Sequence, residues 1–215
     1  MKKLLFFLFF FTFSNLCKAD YTPIPLDELI LISDKIVVGE IVEVEPVYIT
    51  IRVEQSLNHD WGFLKIRRFI NWTCAMRWTP YQNGQKLVFF LREEEGDYFP
   101  IGAGNEGEMP VLEGIVYIND QALSMIDYYY SQQIGRMVFN ITPYFLYGGR
   151  YHGIKYSLLE LMNTVRFVRN CYRIEPENGW AYKRELLCSE EEILAKSEGS
   201  DLRLSIFYDF KNRMD

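Results

Sequence analysis

The residues of this chain best suited to chemistry are its two histidines, His59 and His152. Histidine titrates near neutral pH and is a common metal ligand, so paired histidines would indicate acid–base or zinc chemistry. No His-x-x-x-His, Cys-x-x-Cys or Gly-x-Ser-x-Gly spacing occurs in the sequence. Both histidines are therefore predicted to be loop residues, and no catalytic, cofactor-binding or metal-ligating residue is predicted.

Two other stretches could carry chemistry by composition. The acidic run Glu93–Glu95 falls in a predicted hairpin turn and lacks the spaced oxygen ligands of a calcium site. The glycine-rich stretch Gly102–Gly107 is not followed by Lys-Ser/Thr or by a helix, so it predicts a hairpin connection rather than a phosphate loop. Because two catalytic carboxylates need no local spacing, an exported hydrolase that uses carboxylates stays open as an alternative.

Aromatic side chains are the remaining candidates for ligand contact. The run Tyr128–Tyr130 could stack on a sugar or an aromatic ligand, but tyrosines at the rim of a small core place their hydroxyls in water equally well. The candidate ligand-contact aromatics are Trp72, Trp78, Tyr81, Tyr128, Tyr129 and Tyr130.

The N-terminal segment has the pattern of a secretory signal peptide. Lys2 and Lys3 precede the apolar run Leu4–Phe13, which is too short to span a bilayer. We expect residues 1–19 to be removed by cleavage after Ala19, which makes the protein secreted or periplasmic with no transmembrane segment afterwards. Lipidation of Cys17 is the alternative, and it would make the protein a lipid-anchored envelope component.

The remaining cysteines are Cys74, Cys171 and Cys188. Export permits a disulfide, and the stretch between Cys171 and Cys188 contains Pro176 and Asn178-Gly179, which can turn the chain back. We therefore predict a Cys171–Cys188 disulfide. Cys74 is predicted to be a buried free thiol beside Trp72 and Trp78, with a reactive thiol as the alternative.

The charge of the chain limits its partners. The formal net charge is −6 at pH 7, and the lysines and arginines are scattered along the sequence. Nucleic-acid phosphates call for a basic surface, so nucleic-acid binding is not expected. The predicted partner is an unidentified protein or glycan, and no cofactor is predicted.

The elements that would position these residues begin with strands. Val47–Glu54 alternates apolar and polar residues, which is the period of a half-buried strand. With Lys35–Pro46, Phe63–Ile70 and Leu87–Leu91 it predicts a small antiparallel barrel, and Gly39 within the first run indicates a bulge. Short strands at Tyr98–Ile101 and Glu113–Ile118 should complete the sheet.

The second half of the chain is predicted to be more helical. Ser157 and Glu160 form a capping box at the start of an amphipathic helix over 157–171. Ser189 and Glu192 repeat that pattern at the start of the last helical region, which Gly199-Ser200 interrupts before a terminal helix over 202–213. A short helix is predicted at 26–32. Leu123–Gln133 is ambiguous between a helix and a strand or loop. The fold class is thus mainly β, an OB-like barrel with C-terminal helices packed against it, α+β overall, with a barrel domain at 20–118 and a mixed extension at 119–215.

The order of motifs in the first half resembles a known family. Ser33-Asp34-x-Ile36-Val37-Val38-Gly39 precedes Cys74 and then Tyr81-x-x-Gly84-x-x-Leu87. This order resembles secreted bacterial proteins with the OB-like barrel of tissue inhibitors of metalloproteinases and netrin modules, over residues 26–118. Those inhibitors begin with a zinc-chelating cysteine, whereas the predicted mature chain begins at Asp20, so the resemblance implies the scaffold alone. The predicted function is a secreted non-catalytic binding module.

Overall fold

The computed structural model describes residues 22–57, 61–72, 75–103, 106–177 and 182–214. The predicted signal peptide, Cys17, His59 and Cys74 lie outside the described residues. No described helix is long and apolar enough to cross a membrane.

Five strands close into a barrel, which is compatible with the predicted OB-like scaffold. They are β1 (Lys35–Val44), β2 (Tyr48–Ser56), β3 (Gly62–Arg67), β4 (Lys86–Glu94) and β5 (Asp97–Pro100). The hydrogen-bonded order is β1-β2-β3-β5-β4, and β4 pairs back onto β1. All pairs in the barrel are antiparallel except β3 with β5, which run parallel.

Gly39 allows β1 to bend around the barrel. The register between β1 and β2 shifts between Val38 and Gly39, as the glycine in the β-branched run predicted. A Cβ atom on Gly39 would lie 2.7 Å from Cδ1 of Ile51, so the close approach of the two strands leaves no space for a side chain there.

Four more strands extend the barrel sheet: β6 (Glu108–Leu112), β7 (Ile115–Asn119), β8 (Thr142–Leu146) and β9 (Gly149–Ser157). β6 pairs with β4 and leads through β7 to the β8–β9 hairpin, so the sheet continues past residue 118. The sequence did not predict β6, because Pro110 and the preceding glycines indicate a loop. β10 (Tyr172–Pro176) and β11 (Tyr182–Leu186) form a separate hairpin that was also missed.

The described helices are α1 (Leu26–Ile32), α2 (Asp120–Ile134), α3 (Leu158–Cys171), α4 (Glu190–Ser197) and α5 (Asp201–Asn212). The ambiguous stretch at 123–133 is therefore helical. The Ser157 and Ser189 side chains accept from the backbone N–H groups of Glu160 and Glu192, so both predicted caps are present.

The predicted fold class is confirmed, since 41% of the described residues are strand and 30% helix, around a closed barrel. One core fills the barrel, with Val37, Ile51 and Phe89 among its buried residues. A larger core lies between the outer face of β1 and β4 and the helices. The Cys171–Cys188 pair lies at disulfide distance, with 4.8 Å between the Cα atoms, and it holds the β10–β11 hairpin against the end of α3.

Candidate functional site

The predicted ligand-contact aromatics lie in different parts of the fold. Tyr81 and Tyr130 are buried, and their hydroxyls donate to Glu108 and Asp201. Trp78 packs edge-on against Tyr151, with 5.4 Å between ring centroids.

The other three aromatics do not complete a common surface with these. Trp72 is partly exposed in the segment after β3, and it pairs with Ala75. Tyr128 is exposed on α2, and its ring packs edge-on against that of Tyr129, with 5.1 Å between the ring centroids. The structure therefore does not assemble the six aromatics into one stacking platform.

His152 borders a shallow polar pocket of about 240 Å³. Asp120, Arg150 and Asn119 are among its other lining residues, and the Asn119 side chain is used to cap α2 by accepting from the Gln121 N–H. Within the described part of the chain, no group of three His, Cys, Asp or Glu residues could hold a metal ion.

A buried ion pair, which the sequence did not predict, joins the irregular segment after β3 to β6. Nε of Arg77 lies 2.5 Å from Oε2 of Glu108, and both side chains are almost completely buried. The remaining Arg77 nitrogens donate to the Thr79 carbonyl and to Oε1 of Gln85, and the guanidinium lies 3.9 Å from the centre of the Tyr81 ring.

Glu108 is also fully partnered. Its second oxygen accepts from the Tyr81 hydroxyl, and burial together with the Glu108 charge raises the pKa of Tyr81 well above its usual value. The Tyr81 oxygen in turn accepts from the Phe69 N–H at 3.0 Å. Because every charged atom faces a protein partner, we assign this network to structure: it fixes the end of β3 and the segment 77–85.

A groove of about 1240 Å³ lies between the outer face of the barrel and the C-terminal layer. We call it the arginine groove, because five arginines line it and only two glutamates do. The charged lining residues are Arg67, Arg68, Arg92, Arg184, Arg213, Glu28 and Glu94. Its apolar walls include Ile70, Phe99 and Ile101.

The groove forms where the seam between β3 and β5 opens. These strands pair only at Ile66 and Tyr98. The residues that follow, Arg67–Ile70 on one side and Phe99–Gly102 on the other, line the groove instead of pairing with each other. The predicted strand Phe63–Ile70 therefore ends earlier, at Arg67, because Phe69 bonds to the buried network through its N–H.

Strand register places two of the arginines on either side of one aromatic ring. Arg92 of β4 is paired with Phe99 of β5, and Arg67 follows Ile66 just as Phe99 follows Tyr98. Paired residues on neighbouring strands share a face, so Arg67, Phe99 and Arg92 form one row on the outer face of the barrel. Two strand spacings put the Arg67 and Arg92 backbones roughly 10 Å apart.

The arginines of the groove fall into two classes. Arg184 and Arg213 hold Glu28, at 3.0 and 3.2 Å, and Arg213 also contacts Asp27 and Asp209. Arg68 donates to the Glu45 and Pro46 carbonyls. Among the described residues, no carboxylate lies within ion-pair distance of Arg67, Arg68 or Arg92, so these three side chains keep an uncompensated charge at the groove.

Beneath the groove, the ion-paired arginines are outnumbered by their carboxylate partners. Asp27, Glu28 and Asp209 share Arg184 and Arg213, and Asp27 and Asp209 are almost completely buried. Burial raises the pKa of Asp209 to about 7, and Asp27 adds to that rise. Burial likewise raises the pKa of Glu28. This cluster ties the end of α5 to α1 and forms the floor of the groove on that side.

Comparison of the chain with protein-family models, with curated proteins and with solved structures finds no match. The groove was not predicted from the sequence, because its walls come from residues 22–32, 67–70, 92–102, 182–184 and 213. The one local signal was Arg67-Arg68 beside Phe69-Ile70 at a strand end, a pattern that sequence alone does not separate from an exposed strand.

Proposed function

We propose that this protein is a non-catalytic binding module whose binding surface is the arginine groove. The observation that carries the proposal is the combination of uncompensated arginine charge and apolar wall in one concave surface. Concave, mostly apolar surfaces with a few converging polar groups are where proteins bind partners. Of the two carboxylates at the groove, Glu28 is held by two arginines, which disfavours a two-carboxylate hydrolase there.

The same proposal includes the scaffold and the location. The strand order and the parallel β3–β5 pair support an OB-like barrel of the inhibitor and netrin type. The Cys171–Cys188 pair supports export to an oxidising compartment, secreted or periplasmic. OB-type barrels bind many unrelated partners, so the partner must be argued from the groove and not from the fold.

The proposal is tested by screening the chain against peptides of both charges, sulfated and neutral glycans, and fatty acids. Binding is read by tryptophan fluorescence, and each probe is recovered for mass spectrometry. We expect a bound probe to return chemically unchanged and its affinity to fall in Ile70→Glu, which removes apolar wall and places a carboxylate beside the arginines of the groove. Leu159→Glu is the matched control, because Leu159 is 69% exposed and Ile70 is 70% exposed. Catalytic consumption of a probe, or binding that Ile70→Glu leaves intact, would contradict the proposal.

A further inference from the structure

Resting on the proposed function, we infer that the partner of the arginine groove is an extended acidic polypeptide segment that carries an apolar side chain between two acidic ones. The structure assigns the acidic side chains to Arg67 and Arg92 and the apolar side chain to the space over Phe99.

Charge complementarity is the first reason. The chain as a whole has a net charge of −6, yet three of the arginines that line the groove, Arg67, Arg68 and Arg92, have no ion pair among the described residues. Arg67 is exposed and Arg92 half-buried, and neither has an ion-pair partner among the described residues. Guanidinium groups bind carboxylates through two parallel hydrogen bonds, which favours a carboxylate-bearing partner.

The shape of the groove is the second reason. Its volume of about 1240 Å³ is larger than that of most small-molecule pockets, which hold roughly 300 to 1,000 Å³. Its two walls are four-residue stretches, Arg67–Ile70 and Phe99–Gly102, each about 13 Å long if extended. A concave surface of this size admits an extended chain that crosses the two stretches, whereas a membrane surface would require a flat or convex basic face.

The row geometry gives the spacing of the acidic groups. The Arg67 and Arg92 backbones are roughly 10 Å apart, and residues i and i+4 of an extended chain lie on one face about 13 Å apart, within reach of two long arginine side chains. An acid–x–apolar–x–acid core that crosses the strands therefore places all three side chains on one face, with the acids at Arg67 and Arg92 and the apolar side chain over Phe99. Ile70 adds apolar surface in the same groove and is 70% exposed in the free protein. A sulfated glycan would satisfy the arginines but would leave this apolar surface in water.

The probe is a fluorescein-labelled ten-residue peptide with a Glu-Ser-Leu-Ser-Glu core in a Gly/Ser background, and binding to the full chain is measured by fluorescence anisotropy. We expect the double variant Arg67→Gln/Arg92→Gln to bind about tenfold to a hundredfold more weakly, since two charge-assisted contacts are lost. Replacing the leucine of the probe by Ala should also weaken binding, and replacing its two glutamates by Lys should abolish it.

Two controls decide between outcomes. Arg52→Gln/Arg166→Gln removes the same charge from exposed arginines outside the groove and should leave binding within about twofold; thermal unfolding checks that both double variants are folded. A sulfated octasaccharide and anionic vesicles are measured in parallel. If either binds in an Arg67- and Arg92-dependent way while the peptide does not, the peptide inference is wrong and the binding function stands. If no probe depends on the groove residues, both are wrong.

Discussion

Arg77 lies close in sequence to Arg67 and Arg92 but differs from them in burial and in its partners. Arg77 is buried, and its nitrogens contact Glu108, Gln85 and the Thr79 carbonyl. Arg67 and Arg92 lie at an open groove and lack any described carboxylate partner. A buried charge must be fully partnered to persist, whereas an exposed one is stable in water without a partner. The difference separates an arginine that maintains the fold from arginines available to a partner.

The largest effect is expected from Arg77→Met. This substitution leaves Glu108 charged and buried without its partner, so we expect a loss of about 3–5 kcal/mol in the free energy of unfolding. Urea denaturation measures it. A loss below about 1 kcal/mol would mean that Glu108 is not held as a charged group by Arg77, and the contrast between the two groups of arginines would be lost.

The next effect concerns the wall of the groove formed by β11, which lies inside the loop closed by Cys171 and Cys188. Cys188→Ser should lower the free energy of unfolding by about 3 kcal/mol by the chain-entropy estimate for a loop of this size. The wild-type chain measured in reductant is the matched control and should show a similar loss. Equal stability of the oxidised wild type and the variant would contradict a disulfide at this position.

The acidic floor of the groove predicts a pH dependence. The pKa of Asp209 is about 7 in the folded state and near 3.8 in the unfolded state, so the folded state binds the proton more tightly. The stability that this proton contributes is fully present below the unfolded pKa and is lost as the pH rises towards 7. At about 1.4 kcal/mol per pKa unit, the rise from 3.8 to about 7 corresponds to a loss on the order of 4 kcal/mol for wild type over this window from this group.

Asp209→Asn should remove most of that loss, because the amide does not titrate. Glu191→Gln is the control, since Glu191 is exposed on α4 and outside the cluster of Asp27, Glu28, Arg184 and Arg213 around Asp209. Parallel pH profiles for wild type and Asp209→Asn would show that another group carries the dependence.

The smallest effect on stability is expected at the groove itself. Arg67→Gln/Arg92→Gln should change the free energy of unfolding by no more than about 0.5 kcal/mol per site, because neither side chain has an ion pair with a described residue to lose. Urea denaturation beside Arg77→Met makes the comparison direct. A loss of about 2 kcal/mol or more would assign these arginines to the fold instead.

Local patterns in the sequence predicted the elements, and long-range contacts determined the site. Alternation over Val47–Glu54 and the Ser157 cap each depend on neighbouring residues, so the barrel strands and α3 were predictable. β6 was not, because its pairing partner β4 lies about twenty residues away and Pro110 argues against a strand. The Arg77–Glu108 pair and the groove join still more distant segments, and no local spacing encodes such contacts.

The aromatic candidates illustrate the same limit. Tyrosine is a residue type that often contacts ligands, but tertiary packing buries Tyr81 and Tyr130 and supplies partners for their hydroxyls. Burial is a property of the whole fold, so sequence alone could not separate these tyrosines from Tyr128, which stays exposed.

The most direct test of the account is hydrogen–deuterium exchange on the full chain with and without the Glu-Ser-Leu-Ser-Glu peptide. The account predicts slower exchange in residues 67–70 and 99–102, the two sides of the open seam, with no change in the Arg77–Gln85 segment, which is already held by the buried network. Protection confined to the β8–β9 hairpin or to α2, or no protection at a saturating peptide concentration, would contradict the assignment of the arginine groove as the binding surface.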